Sequence, residues 1–257
     1  MKIAVILSLG MLNQSVNINS FIQWISQKAT EKDPNFKLTA EFYQECNGIS
    51  EAFNRNEINP EKFMTALQSR LGTDVPADEF WNRWNATVTV GKVEETIVSL
   101  KFFCVQNNAL LYFNSDINRV HLEKLQAEYT QHKIELDCDS RPGKIDQFRL
   151  YASCQYGKSK FELTQQIVEE IQLNKNFNRP DRIILVQGDP DNIQNAKQKA
   201  VEIEKVEKLT AWCKDHGVEL ALHKNARPLA ETLNLAVQQP AMASKPDAAG
   251  EKLAIRL

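Results

Sequence analysis

Several things are scarce in this 257-residue sequence. Its charges nearly cancel, with 31 Lys and Arg against 33 Asp and Glu. That balance leaves no basic excess to neutralise a phosphate backbone, which argues against a nucleic-acid binder. The longest apolar runs, Ile3 to Leu7 and Ala109 to Phe113, fall far short of the ~20 residues that a bilayer span requires, so no membrane role is expected. Glycine occurs only 9 times, which argues against a glycine-rich cofactor loop. The five cysteines, Cys46, Cys104, Cys138, Cys154 and Cys213, include no CxxC pair and have no histidine at metal-ligand spacing. An odd, scattered set argues against a disulfide framework and fits a reducing, cytoplasmic compartment. The apolar stretch Ile3 to Leu12 turns polar at Asn13, Gln14 and Ser15 without a small-residue cleavage site, and reads as a buried strand rather than a signal peptide.

What is present is an alternation of apolar runs and amphipathic stretches. Ile3–Leu7, Ala109–Phe113, Arg182–Val186 and Val218–Leu222 read as strands, the first three buried on both faces, with a shorter one at Phe148–Ser153. Helices are expected over Ser20–Lys28, Thr39–Phe53, Asn59–Leu71, Ala77–Trp84, Val93–Gln106, His121–Thr130 and Glu162–Leu173, and from Asn192 to His216. Asn59, Pro60 and Glu61 form a helix start, with a capping side chain, proline at the first helical position and an acid in the first turn. Gly217 reads as a helix terminator. Strands alternating with helices imply an α/β fold, a doubly wound parallel sheet covered on both faces. The helical stretch after the first strand is too long for a crossover and reads as an inserted helical cap over residues 15–90. The core is then 1–14 and 91–237, and 238–257, rich in Ala, Pro and Ser, reads as a disordered tail.

Ligands of doubly wound sheets bind beyond the carboxyl ends of the strands, so the turns there carry the functional information. Four segments stand out. They are Phe53–Phe63 with Phe80-Trp-Asn-Arg-Trp-Asn85; Leu111-Tyr-Phe-Asn-Ser115-Asp-Ile-Asn-Arg-Val-His121; Ser153-Cys-Gln-Tyr-Gly157-Lys-Ser-Lys160; and Pro180-Asp-Arg-Ile-Ile-Leu-Val-Gln187-Gly188-Asp-Pro190-Asp-Asn192. In order and spacing they resemble the haloacid dehalogenase-like (HAD) superfamily of phosphohydrolases, in its subgroup with a small helical cap after the first strand. The resemblance extends over roughly residues 1–225.

That resemblance implies an aspartate nucleophile after the first strand and an acid–base aspartate two residues on. It also implies a hydroxyl after the second strand, a lysine after the third, and acids after the fourth that hold Mg²⁺. Carried across, the hydroxyl falls on Ser115 and the lysine on Lys160, giving phosphate- or ligand-binding candidates, with Asp116 on the same rim. The nucleophile position falls on Ser8, the acid–base position on Gly10 and the metal positions on Gln187 and Gly188. None is a carboxylate. Asp189, one residue further, is the alternative metal ligand. The expectation is a catalytically degenerate protein, a pseudophosphatase that binds or regulates, with no resident cofactor and with Mg²⁺ only if activity is retained. Its partner would be a small phosphorylated ligand or a protein. Two alternatives stand beside it: a small-molecule phosphohydrolase with relocated carboxylates, and a secreted effector-type interaction protein, which the Asn- and Gln-rich composition permits. Phe80, Trp81 and Trp84 read as packing within the cap, and Glu202 to Lys208 as a solvated helix face.

Overall fold

In a computed structural model the chain is described at residues 2–12, 14–16, 18–91, 93–131, 135–137, 147–173, 180–193, 196–225 and 227–239. Strand β1 (Ile3–Ser8) leads through a 3-10 turn (Leu9–Met11) to β2 (Gln14–Val16). Helices α1 (Ile18–Lys32), α2 (Ala40–Asn54), α3 (Pro60–Leu71) and α4 (Ala77–Asn85) follow, and β3 (Val88–Val90) closes a two-stranded antiparallel ribbon with β2. Then come α5 (Val93–Asn107), β4 (Ala109–Ser115), α6 (Arg119–Gln131), β5 (Glu135–Asp137), β6 (Gln147–Ala152), the one-turn α7 (Ser153–Tyr156) and α8 (Lys160–Leu173). The chain ends with β7 (Arg182–Gly188), a 3-10 turn (Pro190–Asn192), α9 (Ala196–Asp215), β8 (Glu219–His223) and α10 (Leu229–Gln238).

The expected doubly wound parallel sheet is present. Among the described residues six strands lie in the order β5-β6-β4-β1-β7-β8, every pair parallel. β1 is central, and its side chains divide between two cores. Ile3, Val5 and Leu7 pack with α5, α6 and α10, while Ala4 and Ile6 pack with α8 and α9. Burial on both faces is what makes the run Ile3–Leu7 continuously apolar. A third core lies inside the four-helix insertion, where Phe21, Phe53, Phe63, Phe80 and Trp84 meet; Phe53 and Phe63 stack at 4.2 Å.

Local chemistry sets most boundaries. Asn59 accepts the Lys62 amide at 2.8 Å, with Pro60 as the first helical residue of α3, and Gly72 closes that helix at φ +63°. Helix α8 starts two residues before the expected Glu162, because Ser159 and Glu162 form a reciprocal capping box: the Ser159 amide and hydroxyl both donate to the Glu162 carboxylate, at 2.8 and 2.7 Å. Strand β7 runs two residues past Val186, because Gln187 and Gly188 pair with Leu222 and His223 of β8. The helix expected from Asn192 begins at Ala196 instead; Asp189 caps a separate 3-10 turn, and Ile193 is extended. Helix α10 reaches Gln238, and the rest of the expected tail, from residue 240, lies outside the described residues, as do His132 and Cys138. Cys46, Cys104, Cys154 and Cys213 are free thiols; burial pushes Cys104 and Cys213 up to about 12. Among the described residues no helix is long and apolar enough to cross a membrane.

The insertion is seated on the core through α6. The buried His121 ring stacks on Trp84 at 4.8 Å and 13°. Its Nε2–H donates to the Trp84 carbonyl (3.2 Å), and its Nδ1 accepts from Asn118 (3.1 Å), which fixes the neutral tautomer. Lys124 donates to the carbonyls of Asn85 and Val88 at 2.8 and 2.7 Å, clamping the segment that leaves the insertion.

Burial holds the His121 ring neutral and pulls its pKa from 6.5 down to about 4, Lys124 adding to the effect and the Trp84 carbonyl opposing it. Between those values the unfolded chain binds a proton that the folded protein does not. This contribution is therefore complete above about pH 6.5 and is lost as pH falls towards 4, about 3 kcal/mol across the window. His121→Gln is expected to remove most of that loss from the difference between urea midpoints at pH 7 and pH 4.5. An unchanged difference would mean that His121 is not the group that titrates.

Candidate functional site

Because β1, β4 and β7 are adjacent and parallel, their carboxyl ends bring together the positions singled out from the sequence. Ser8 is the last residue of β1 and pairs with Asn114 of β4. Its side chain caps nothing in the turn that follows. A Cβ built on Gly10 would lie 3.7 Å from the Ser8 hydroxyl, so these two positions do face one another. Gln187 and Gly188 end β7, and nothing lies within 4 Å of a Cβ built on Gly188. Gly10 and Gly188 both line a cavity of about 580 Å³ that reaches His223, Asn225 and Arg227.

A second cavity, about 510 Å³, lies between α8 and α9 over the ends of β4 and β7. Lys160, Asp116, Gln187 and Asn114 line it, with Phe161, Leu185, Val206 and Leu209 as apolar wall. Lys160 is half-buried, and its Nζ donates to the Gln187 Oε1 at 3.5 Å. Gln187 in turn donates to Glu202 at 3.2 Å, and Lys205 pairs with Glu202 at 3.3 Å. Lys160 therefore meets a neutral amide where the resemblance implies a metal-binding acid. Burial lowers its pKa from the ordinary lysine value; Asp116 and Glu202 oppose that shift, and Lys205 adds to it. As the first residue of α8, Lys160 also sits at the positive end of a helix dipole, which disfavours its charge further.

The other candidates are spoken for. Asp116 accepts the Lys160 backbone amide at 2.8 Å and the Ser153 hydroxyl at 2.7 Å through one oxygen. It thereby ties the end of β4 to the start of α8. Ser115 is 9% exposed, and its carbonyl accepts the Ser153 hydroxyl at 3.0 Å. The residue lining the cavity at this end of β4 is its neighbour Asn114, not Ser115. Asp189 accepts the Asp191 amide at 2.8 Å and faces Lys224 at 3.8 Å. Asp116 and Asp189, the two candidate carboxylates, thus have separate partners.

Mg²⁺ is the ion the fold implies, and the donor set does not fit it. A hard dication of this kind is held by carboxylates near the transferred group. Ser8, Gly10, Gln187 and Gly188 supply none, and Asp116 and Asp189 each hold a backbone amide through one oxygen. Among the described residues no cluster of three or more His, Cys, Asp or Glu side chains could hold a metal ion.

Two contributors escaped the sequence reading. Glu202 belongs to a charged run that reads as a solvated face, but its side chain turns into the cavity. Glu202, Val206, Leu209 and the buried Cys213 share one stripe of α9, and that spacing was the signal available. Asn114, 1% exposed, donates to Thr164 at 2.7 Å, while its Oδ1 is buried without a partner among the described residues. A polar residue ending an apolar strand gave no sign of this.

No family model matches this sequence, and no curated protein does either. Solved structures do. A structure described as a predicted HAD-like family hydrolase from Porphyromonas gingivalis superposes with a TM-score of 0.59 at 13% identity, over 93% of this chain and 100% of that one. A HAD family enzyme from Bacteroides thetaiotaomicron gives 0.56 at 13% identity, over 91% and 98%. The wild-type form of that enzyme in complex with magnesium and inorganic phosphate gives 0.55 at 12%, over 90% and 98%. The chain has the HAD-like fold.

Since a Cβ on Gly10 meets only the Ser8 hydroxyl at an ordinary contact distance and one on Gly188 meets nothing within 4 Å, Gly10→Asp and Gly188→Asp are each expected to cost less than about 1 kcal/mol in urea unfolding. A loss above about 2 kcal/mol from either would show that this corner has closed around the missing side chains.

Proposed function

We propose that this protein is a binding or regulatory module on a hydrolase fold, a pseudophosphatase that does not hydrolyse phosphate esters. The observation that carries this reading is the identity of the residues at the ends of β1 and β7. Ser8, Gly10, Gln187 and Gly188 stand at the positions that the resemblance assigns to acids, and none can attack phosphorus as a carboxylate, shuttle a proton or hold Mg²⁺ as an anionic ligand. Ser8 has no basic partner among the hydrogen bonds of the described residues, so its hydroxyl lacks the activation that a serine nucleophile needs. What the corner keeps is a lysine, an amide pair and two open cavities, which suit retention of a small ligand, phosphorylated in the first instance, more than its turnover.

The test is incubation with p-nitrophenyl phosphate and a panel of phosphorylated metabolites in the presence of Mg²⁺, with thermal shift measured on the same panel. The expected outcome is no turnover above background, together with stabilisation by at least one compound that Lys160→Ala removes. Turnover abolished by Ser8→Ala or by Asp189→Ala would overturn the reading.

A further inference from the structure

The cavity between α8 and α9 holds an amine in an unusual setting. Lys160 Nζ has no ion pair among the described residues, and its one side-chain hydrogen bond is the long contact to the neutral Gln187 amide. It lies at the positive end of α8, a 14-residue helix, with Lys205 and Lys208 lining the opposite wall. Those two lysines are different in kind. Each is paired with a glutamate of its own helix, Lys205 with Glu202 and Lys208 with Glu204, and their side chains are 67% and 75% exposed. Low solvation, a helix dipole of the wrong sign and a like charge at Lys205 favour the free amine over the ammonium, and Asp116 and Glu202, neither of them in contact with Nζ, oppose them. The lowered pKa agrees. Neutral lysines against apolar walls are the ones that condense with carbonyl compounds.

We propose that Lys160 is a reactive amine that captures aldehydes as an imine, and that the cavity between α8 and α9 takes an aldehyde with a small apolar body. The Nζ lone pair attacks the carbonyl carbon, the C=O π pair moves to oxygen, and a proton passes from nitrogen to that oxygen to give a carbinolamine. Loss of the oxygen as water, with the second amine proton, leaves the C=N bond. No oxidant, reductant or metal is needed for any of these steps. Phe161, Leu185, Val206 and Leu209 cover the aldehyde's apolar body. The inference needs no phosphate on the ligand, so it stands or falls separately from the pseudophosphatase reading.

The test uses the full chain and benzaldehyde, which carries no phosphate. The protein is incubated with it at pH 7, the imine is fixed with cyanoborohydride, and the modified lysines are located and timed by peptide mass spectrometry. Lys160 is expected to be labelled several-fold faster than Lys205 or Lys208, the two exposed lysines of the opposite wall. Its rate is also expected to level off at a lower pH than theirs. Lys160→Arg should abolish the fast phase and leave the slow labelling of the other lysines unchanged. Equal rates at the three lysines of the wild-type protein, or a Lys160 rate still rising in step with theirs at alkaline pH, would overturn the proposal without reliance on any variant.

Discussion

The structure depends on the burial of β1 on both faces between two parallel neighbours. Leu7 pairs with Phe113 on one side and Val186 on the other, all three with almost no exposure. That row fixes the register, since a slip of one residue would swap the two apolar cores that β1 separates. It also ends β1, β4 and β7 side by side, at the place where doubly wound sheets bind their ligands. Ser8, Asn114 and Gln187 are the next residues along those three strands. The site is a consequence of core packing before it is a consequence of chemistry.

What the chain puts on that platform is an electrostatic arrangement unlike that of a phosphoryl-transfer site. Such a site sets a lysine and a metal ion against acids and phosphate oxygens so that the charges nearly cancel. Here a lysine is present, while the positions that the sequence resemblance assigns to acids hold a hydroxyl, two glycines and an amide. The amide of Gln187 can donate and accept at once, and it does so, accepting from Lys160 and donating to Glu202. Asp116, on the rim, serves a mechanical end, since its carboxylate caps α8 and holds Ser153. Negative charge is therefore present near the corner, but it is committed to architecture.

The parts legible in the sequence were those governed by short-range rules. Apolar runs gave the buried strands, and Asn59-Pro60 with Gly72 framed α3. The three-residue strands β2, β3 and β5 carried no such signal, because pairing across the chain makes them rather than any local preference. Helix α10 depends on a contact no window reveals: the buried Arg182 guanidinium binds Glu219 and also the carbonyls of Ala236 and Val237 at the helix end. The site divides along the same line. That Ser8, Gly10, Gln187 and Gly188 are not acids is read directly from the sequence. Asp116's partners lie 37 and 44 residues away, so its role as a tie was not. Glu202 sits within a run of charges that reads as solvent-facing, although its spacing to Val206 and Leu209 places it on the inward stripe of α9.

The central claim is that this corner binds without the metal-assisted chemistry its fold supports elsewhere. A crystal structure grown with Mg²⁺ and inorganic phosphate addresses it most directly. No Mg²⁺ is expected at the ends of β1 and β7, with Lys160 still joined to Gln187. An octahedral Mg²⁺ held by Asp116 or Asp189 and bridged to phosphate would contradict the claim.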